Sequence, residues 1–280
     1  MKFEQTQVMN FEGALRGMRN PLASWHKSDS IFYMNCEHEY SEYAIEVANA
    51  WAEHDLEYME DANLVVDRDG AFEKLMEERL DWLYENGLRY MKEDHHSTGI
   101  YIGPNDMGLA RRLISGGTEH RKFLRQIMVS VDITAPLYWW KEFDTYKVGT
   151  TANSTSTMHK LASTPITLDC FETDDYCGDL VYFTHDGDTL TDHTIDSIMQ
   201  GLIEDLELLR QKYNETKDKR YWKELVRLLP NGWLQTRTVT MNYENLRSMY
   251  HQRENHKLTE WHSFCDWVKS LPYAQELIID

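Results

Sequence analysis

Residues Ala135 to Lys160 read APLYWWKEFDTYKVGTTANSTSTMHK, and this stretch decides how the rest of the chain is interpreted. A proline and an aromatic segment open it, and six of the eight residues from Thr150 to Thr157 carry hydroxyls. Hydroxyls at this density, with Lys160 just beyond them, suit an anion such as a phosphate held where a helix begins. A surface loop with a Ser/Thr helix cap has the same composition. Composition alone leaves both interpretations open.

The net charge of the chain limits the kinds of partner that it is expected to bind. The 280 residues carry 47 acidic and 29 basic side chains, a net charge of −18. Proteins that bind duplex nucleic acid through its phosphates present a basic surface, so we expect no duplex binding. A pocket for one phosphorylated small molecule is compatible with this charge. The four cysteines form no CxxC and the adjacent His95-His96 is interpreted as solvated, so no metal site is predicted.

The length of the chain and its apolar content limit the number of domains and the kind of protein that we expect. The N-terminal MKFEQTQVMN has no apolar signal core, and no apolar run approaches a membrane span. We therefore expect a cytoplasmic protein without membrane contact. The length suits one large domain or two modest ones. Since no internal repeat or linker is evident, we predict a single α+β domain over residues 1–280, whose first 100 residues are mostly helical.

The spacing of apolar residues predicts the secondary structure. Helices are expected over Ser41–Asp61, Ala71–Lys92, Met107–Leu124, Leu137–Tyr146, from Thr189 through Tyr213, up to Leu229-Pro230, Asn242–Arg253 and Leu258–Leu271. Strands are expected over Gln126–Thr134 and Gly232–Met241. The Ser/Thr cluster is expected to open a further helix, and the chain after Pro165 is expected to be irregular up to Asp188.

Arg253 occupies an unusual position in the penultimate helix. The apolar residues between Leu246 and Tyr250 define the buried face of that helix, and Arg253 falls on the same face. A guanidinium on an apolar face needs a partner, because an unpaired buried charge costs several kcal/mol. The partner is either a carboxylate such as Glu254 or Glu260, or a bound phosphate or carboxylate group.

Several short motifs follow one another in a specific order. They are His120 before the strand at 126–134, Ala135-Pro136 before an aromatic helix, Asn153-Ser154-Thr155-Ser156, Leu229-Pro230 before a strand, Thr240-Met241-Asn242, and a helix with Leu246 and Arg253 followed by His256 and Glu260. This order resembles the flavin-dependent thymidylate synthase (ThyX) family over roughly residues 117–261.

The resemblance implies a fold and a reaction. It implies an α+β, ThyX-like fold with a central antiparallel or mixed sheet and long flanking helices. In that family a homotetramer builds each active site from several chains. Reduced FAD passes a one-carbon unit from methylenetetrahydrofolate to C5 of dUMP, with NADPH as reductant. By resemblance, we expect a homo-oligomeric thymidylate synthase-like enzyme acting on dUMP or a related pyrimidine nucleotide.

The resemblance also implies roles for individual residues. Ser156 would lie beside the substrate, and Arg253 would hold and polarise the uracil or its phosphate, so both are expected to be catalytic. Residues expected to bind the flavin cofactor are His120, Asn242 and Lys147. Residues expected to bind the substrate are Asn153, Ser154 and Lys160.

One motif of the family is replaced. Its Arg-His-Arg signature, which contacts the flavin, aligns with Thr145-Tyr146-Lys147 in this chain. The chain is therefore identified as a divergent member that lacks the signature. One alternative is a non-catalytic protein of the same fold that binds a nucleotide or another protein, as a virus or mobile element could encode. Another is an unrelated helical interaction protein.

Overall fold

The computed structural model of the chain describes residues 1–32, 40–61, 67–82, 100–156, 160–186 and 189–280. Their contacts form two compact units, residues 1–9 with 127–280 and residues 10–126. The single domain over residues 1–280 stays a prediction. No helix in the described ranges is long and apolar enough to cross a membrane.

The strands and helices follow one another in mixed order. The strands are β1 (Lys2–Met9), β2 (Ile31–Phe32), β3 (Ile100–Tyr101), β4 (Met128–Pro136), β5 (Thr151–Ser154), β6 (Val181–Asp186), β7 (Thr189–Thr194) and β8 (Leu234–Asn242). The helices are α1 (Phe11–Arg19), α2 (Tyr40–Asp61), α3 (Arg68–Trp82), α4 (Pro104–Ser115), α5 (Leu137–Phe143), α6 (Ile195–Thr216), α7 (Lys219–Leu228), α8 (Tyr243–Arg253) and α9 (Thr259–Lys269). Short 3-10 turns lie at Asn20–Leu22, Trp25–Lys27, Lys122–Arg125 and Leu168–Cys170, and a π-helical turn at Gln275–Ile279.

A four-stranded sheet forms the centre of the first unit. Its strand order is β1-β4-β8-β5, and every neighbouring pair is antiparallel. β4 and β8 are paired along their full length, from Met128 opposite Asn242 to Pro136 opposite Leu234. The predicted α+β fold with an antiparallel central sheet and long helices is confirmed. Both predicted strands are present, each shifted by about two residues.

The two faces of this sheet differ in chemistry. Along β4, Val129, Val131 and Ile133 are fully buried, whereas the residues between them are half-buried and polar. Because paired residues of an antiparallel sheet share a face, Thr134 and Thr236 lie together on the polar side. One face is therefore apolar and the other carries hydroxyls.

Aromatic side chains cover the apolar face. Trp139 on α5 is fully buried and contacts the rings of Trp261 and Phe264 on α9 at centroid distances of 4.8 and 6.0 Å. Phe3 on β1 reaches the same cluster, with its ring 6.3 Å from that of Phe264. These contacts place α5 and α9 on the apolar side of the sheet, where large aromatic groups contribute most to the core.

The α6–α7 hairpin carries a second, smaller core. Its members are Leu161, Ile166, Phe171, Leu206 and Leu225. Glu207 on α6 accepts a hydrogen bond from Ile166 N–H at 2.9 Å, and Arg210 donates to both oxygens of Glu207 at 2.7 and 2.6 Å. The segment from 160 to 171 is thereby fastened to α6.

A buried ion pair organises the second unit. Arg19 at the end of α1 donates to Asp106 at 2.5 Å, and the two residues are 4% and 0% exposed. Ser28 and Ser30 donate to the other oxygen of Asp106 at 2.6 and 2.5 Å. Asp29 accepts the N–H groups of Asn105 and Asp106, which caps α4.

The structure corrects three predicted elements. The helix predicted over Met107–Leu124 ends at Ser115, because Gly117 has a positive φ of 94°. The helix predicted over Leu137–Tyr146 ends at Phe143. Thr151–Ser154 within the Ser/Thr cluster form edge strand β5, and the further helix expected from this cluster falls on residues 157–159, which lie outside the described residues.

The third correction concerns the acidic segment. The stretch expected to be irregular up to Asp188 contains β6, which pairs with β7. Residues Thr189–Thr194 belong to β7, so the following helix begins at Ile195 with Thr194 as its cap. The helix predicted over Ala71–Lys92 is present as α3, and the part of it after Trp82 lies outside the described residues, as does His95-His96.

The anchoring of the 160–171 segment predicts a pH-dependent loss of stability. Arg210 holds the pKa of Glu207 at about 2, against an ordinary value of 4.5. Because the pKa is lower in the folded chain, this contribution is complete above about pH 4.5 and is lost as pH falls towards 2. Glu207→Gln should cost roughly 2–3 kcal/mol of unfolding free energy at pH 7, and this cost should begin to fall only as the pH approaches 4.5 and continue to fall towards pH 2. Urea unfolding measures both.

Glu215→Gln is the matched control for this measurement. Glu215 lies on the same helix and pairs with Lys212, but its side chain is 61% exposed. Such an exposed pair should contribute only a few tenths of a kcal/mol. If both variants lose equal stability at pH 7, Glu207 does not anchor the segment.

Candidate functional site

A pocket of about 540 Å³ opens on the hydroxyl-bearing face of the sheet. Its floor is a row across three strands, Lys2 on β1, Thr134 on β4 and Thr236 on β8. The two threonine hydroxyls are 2.7 Å apart and share a hydrogen bond. Thr155 extends the row, since its N–H donates to Thr236 O at 2.9 Å. The floor therefore offers several hydroxyls and one cation.

The segment from 160 to 174 forms the wall of this pocket. Phe171 and Trp233 meet there edge to face, with ring centroids 5.5 Å apart. Lys160 brings a second cation and Cys170 a thiol. Three carboxylates also line the pocket, those of Asp169, Glu172 and Asp174. Cations, hydroxyls, carboxylates and an aromatic pair thus surround one space of a size that suits a small-molecule ligand.

The structure brings two of the predicted site residues into this pocket. Ser156 and Lys160 both line it, and Lys160 N–H donates to Ser156 O at 2.9 Å. Asn153 and Ser154 are exposed on β5 just before it. Asn153 lies opposite Thr238 on the polar face, whereas Ser154 lies opposite Arg237 on the other. Of the residues predicted to bind the substrate, Lys160 therefore lines the pocket, whereas Asn153 and Ser154 lie next to it.

Arg253 belongs to a different cluster, on the side of α5, α8 and α9. Its Nη1 donates to Glu142 Oε2 at 3.0 Å, and Trp261 Nε1 donates to the same oxygen at 2.9 Å. His256 Nε2 lies 3.4 Å from that oxygen. The carboxylate that Arg253 was expected to find is thus Glu142. Of the two carboxylates proposed from the sequence, Glu260 accepts a hydrogen bond from Tyr138.

The tautomer of His256 follows from its other nitrogen. Leu258 N–H donates to His256 Nδ1 at 3.2 Å, so Nδ1 acts as an acceptor. In a neutral imidazole the proton then lies on Nε2, which faces Glu142. Arg253 and Trp261 therefore donate to one carboxylate oxygen, and His256 Nε2 lies 3.4 Å from it.

The guanidinium of Arg253 has further supports besides Glu142. Its Nε donates to the Tyr146 hydroxyl at 2.8 Å, and that hydroxyl donates to Gln252 at 3.2 Å. Its Cζ lies 4.6 Å from the ring centre of Trp261, within the range of a cation–π contact. The side chain is 19% exposed. Arg253 is therefore fixed in orientation while part of it remains accessible.

Asn242 caps helix α8. Its side chain accepts Asn245 N–H at 2.9 Å, and the Asn245 side chain accepts Asn242 N–H at 3.2 Å, which is a capping box. The loop after α5 presses on this box at Gly149, where a Cβ would lie 2.8 Å from Asn245 Oδ1 and 3.0 Å from Asn242 Nδ2. Gly149 has a positive φ of 79°, which only glycine adopts without strain.

The remaining predicted cofactor residues are exposed. Lys147 extends from the loop that follows α5. His120 lies in the second unit, in the turn after α4, where its N–H donates to Gly117 O at 2.9 Å. In the described part of the chain, no group of three His, Cys, Asp or Glu side chains could hold a metal ion.

Sequence reasoning missed Glu142 and Tyr146 as partners of Arg253. Both are over 100 positions away in the chain, at separations of 111 and 107 residues. Their one signal is location, since Glu142 lies three residues before the aligned signature positions and Tyr146 lies within them. Tyr146 is itself the middle residue of Thr145-Tyr146-Lys147, which replaces that signature.

Comparison with solved structures identifies the fold. A ThyX from Helicobacter pylori, solved with FAD and dUMP, matches with a TM-score of 0.54 and 13% identity, over 99% of this chain and 97% of that one. The chain has the ThyX fold. A UMP/dUMP methylase, PolB from Streptomyces cacaoi, bound with 5-Br dUMP, gives a TM-score of 0.44 and 16% identity over 71% of this chain and 87% of that one. No protein-family model matches the chain, and no curated protein sequence does.

The loop at the aligned signature does not fit the diphosphate of FAD. The hydroxyl of Thr145 donates to Glu142 O at 2.7 Å, and that of Tyr146 is bonded to Arg253 and Gln252. Lys147 is then the one cation that these three positions offer. Diphosphates are bound by several charge-assisted hydrogen bonds, often from bidentate arginines, which a single lysine does not reproduce.

The capping box of Asn242 and Asn245 gives a prediction about the stability of the fold. Asn242→Ala removes the acceptor for Asn245 N–H and should cost about 1 kcal/mol of stability. Asn245→Ala breaks the same box, so the two losses should not add in the double variant. Thermal or urea unfolding measures all three. Additive losses would mean that the two side chains do not act as one cap.

Proposed function

We propose that this chain binds a pyrimidine mononucleotide, such as dUMP, in the pocket on the polar face of the sheet. The observation that carries the proposal is the location of Ser156 and Lys160. Ser156 was predicted from the family resemblance and Lys160 from its place beside the hydroxyl-rich cluster, and both line one pocket in a chain with the ThyX fold. The ThyX structure of that fold holds dUMP.

The lining of the pocket matches the parts of a nucleotide. Lys160 and Lys2 supply cations for a phosphate, and the Ser156, Thr134 and Thr236 hydroxyls supply donors for its oxygens. The Phe171–Trp233 pair offers an aromatic surface for a pyrimidine ring. Glu172 and Asp174 pair with the N-terminal ammonium of Met1, so Asp169 is the wall carboxylate that would accept a hydrogen bond from a sugar hydroxyl.

A second candidate function is one-carbon transfer to C5 of the bound nucleotide. The fold shared with a ThyX solved with FAD and dUMP favours it. It would require reduced FAD, methylenetetrahydrofolate and NADPH, with Ser156 and Arg253 as catalytic residues. Because the loop at Thr145-Tyr146-Lys147 does not fit FAD, we derive no step through the flavin. A cytoplasmic homo-oligomer, a tetramer by resemblance, belongs to the same proposal.

Nucleotide binding is tested by calorimetry and thermal unfolding with dUMP. A ligand that binds the native state alone stabilises it by about 2.7 kcal/mol at one hundred times its Kd. Lys160→Ala should weaken dUMP binding about tenfold, the effect of one lost charge-assisted hydrogen bond. Ser156→Ala should weaken it less.

Lys141→Ala is the matched control for charge. Lys141 is exposed on α5, donates to Asn231 at 2.6 Å and does not line the pocket. It should leave dUMP affinity unchanged. If dUMP causes neither heat of binding nor a shift in Tm, nucleotide binding is wrong. An equal loss in the Lys141 and Lys160 variants would remove Lys160 from the site.

The transfer reaction has its own assay. The purified chain is incubated with dUMP, methylenetetrahydrofolate, FAD and NADPH, and dTMP is measured against a reaction without FAD. Product that depends on FAD and is lost in Arg253→Met would establish the second candidate. Binding of dUMP without product would leave the non-catalytic alternative. A chain that does neither would favour an interaction protein.

A further inference from the structure

Trp233 is the aromatic side chain that the pocket on the polar face of the sheet leaves accessible. Trp233 and Phe171 meet edge to face, with ring centroids 5.5 Å apart and an angle of 90° between the ring planes. Phe171 is 3% exposed and belongs to the small core beside α6. Trp233 is half-buried and lines the pocket. Of the two rings, the indole is therefore the one that a ligand can contact.

The backbone around Trp233 holds this indole in place. Trp233 N–H donates to Pro230 O at 3.1 Å, and Trp233 O accepts Leu137 N–H from the first turn of α5 at 3.0 Å. Phe171 also forms an isolated antiparallel bridge with Trp233. Because these contacts involve no ligand, the aromatic surface is already formed before binding, and little freedom is lost when a ring stacks on it.

Hydroxyl groups are the most frequent polar groups around the indole. Among the described residues that line the pocket, none is Asn, Gln, His or Arg. A hydroxyl rotates to act as donor or acceptor, whereas an amide or a guanidinium presents a fixed pattern of donors and acceptors. The six residues that bring hydroxyls to the pocket are Thr134, Thr155, Ser156, Thr164, Thr173 and Thr236.

Uracil and cytosine differ along the edge that pairs with other bases. Uracil presents an N3–H donor beside its O4 acceptor, whereas cytosine presents an N3 acceptor beside its 4-amino donor. Hydroxyls that rotate satisfy either pattern, so the hydroxyl side chains of this pocket do not select between the two bases. The faces of the two rings are alike, and an aromatic side chain stacks on either.

We propose that Trp233 selects the ligand of this pocket by stacking on the face of its base, and that the pocket accepts uracil and cytosine mononucleotides alike. The inference rests on the proposed nucleotide function. It names the class of ligand as a pyrimidine 5′-monophosphate that is recognised by the face of its ring and not by its pairing edge. Trp233 is then a specificity-determining residue, because it distinguishes a nucleotide from a sugar phosphate.

Calorimetry on the full chain compares three probes. They are dUMP, dCMP and 2-deoxyribose 5-phosphate, which has the sugar and the phosphate but no base. The two nucleotides should bind with Kd values within about threefold of each other. Deoxyribose 5-phosphate should bind at least about fivefold more weakly, because it lacks the stacking of the base.

Variants of Trp233 separate stacking from phosphate binding. Trp233→Leu should weaken dUMP and dCMP by at least about fivefold each and leave deoxyribose 5-phosphate unchanged. Trp233→Phe keeps an aromatic face and should recover most of the lost affinity. Trp25→Leu is the matched control, because Trp25 is 51% exposed and belongs to the other unit. It should leave the affinities of all three probes unchanged.

A measurement on the wild-type sequence covers the case in which Trp233→Leu does not fold. The chain is labelled with 5-fluorotryptophan, and the resonance absent from Trp233→Phe identifies Trp233 among the nine tryptophans. Saturating dUMP and dCMP should each shift this resonance, because a base then lies against the indole. Deoxyribose 5-phosphate should shift it much less.

Two results would overturn this inference while nucleotide binding stands. One is dUMP binding that Trp233→Leu leaves unchanged, or that does not shift the Trp233 resonance, because the base then lies elsewhere. The other is a pair of Kd values for dUMP and dCMP that differ by more than about threefold, because the pocket then reads the edge of the base. The proposed function fails differently, when none of the three probes binds the wild-type chain, and this inference then fails with it.

Discussion

The register of β4 against β8 is the constraint on which the rest of the first unit depends. These strands pair from Met128 opposite Asn242 to Pro136 opposite Leu234. A slip of one residue would turn every side chain to the other face. The hydroxyls of the pocket floor would then be buried beneath aromatic rings. Because β4 and β8 are antiparallel, α5 and α8 begin at opposite ends of the strand pair, and the C-terminal ends of the two helices meet where Arg253 donates to Glu142.

The strongly alternating or periodic parts of this fold could be predicted from sequence. β4 alternates between apolar and polar residues, β8 has threonine at every second position from Thr236 to Thr240, and α8 carries a clear apolar stripe. β1 was missed because its pairing register shifts between Glu4 and Gln7, and Gln5 has a positive φ of 52°. This bulge breaks the two-residue period that marks a strand. The Ser/Thr cluster has no period at all, so its place at the edge of the sheet depends on β8.

The site was predictable where its residues are close in sequence. Ser156 and Lys160 are four positions apart, Lys160 N–H donates to Ser156 O, and both residues line the pocket. The need of Arg253 for a carboxylate followed from its place on an apolar helix face. The identity of that carboxylate did not, because the choice of Glu142 depends on how two strands align. The sequence alone therefore suggested only carboxylates close to Arg253 in the chain, Glu254 and Glu260.

The cations that line the pocket differ from Arg253 in how firmly they are held. A chain with a net charge of −18 repels an approaching anion, and salt at physiological strength confines that repulsion to roughly 8 Å. Attraction must then come from donors at short range. Lys160 and Lys2 are exposed. Their flexible side chains would lose rotamer freedom if a phosphate were bound. Arg253 is already oriented by Tyr146 and Trp261, so it loses less. The charge of Arg253 is in turn balanced by Glu142, whose Oε2 lies 3.0 Å from Arg253 Nη1.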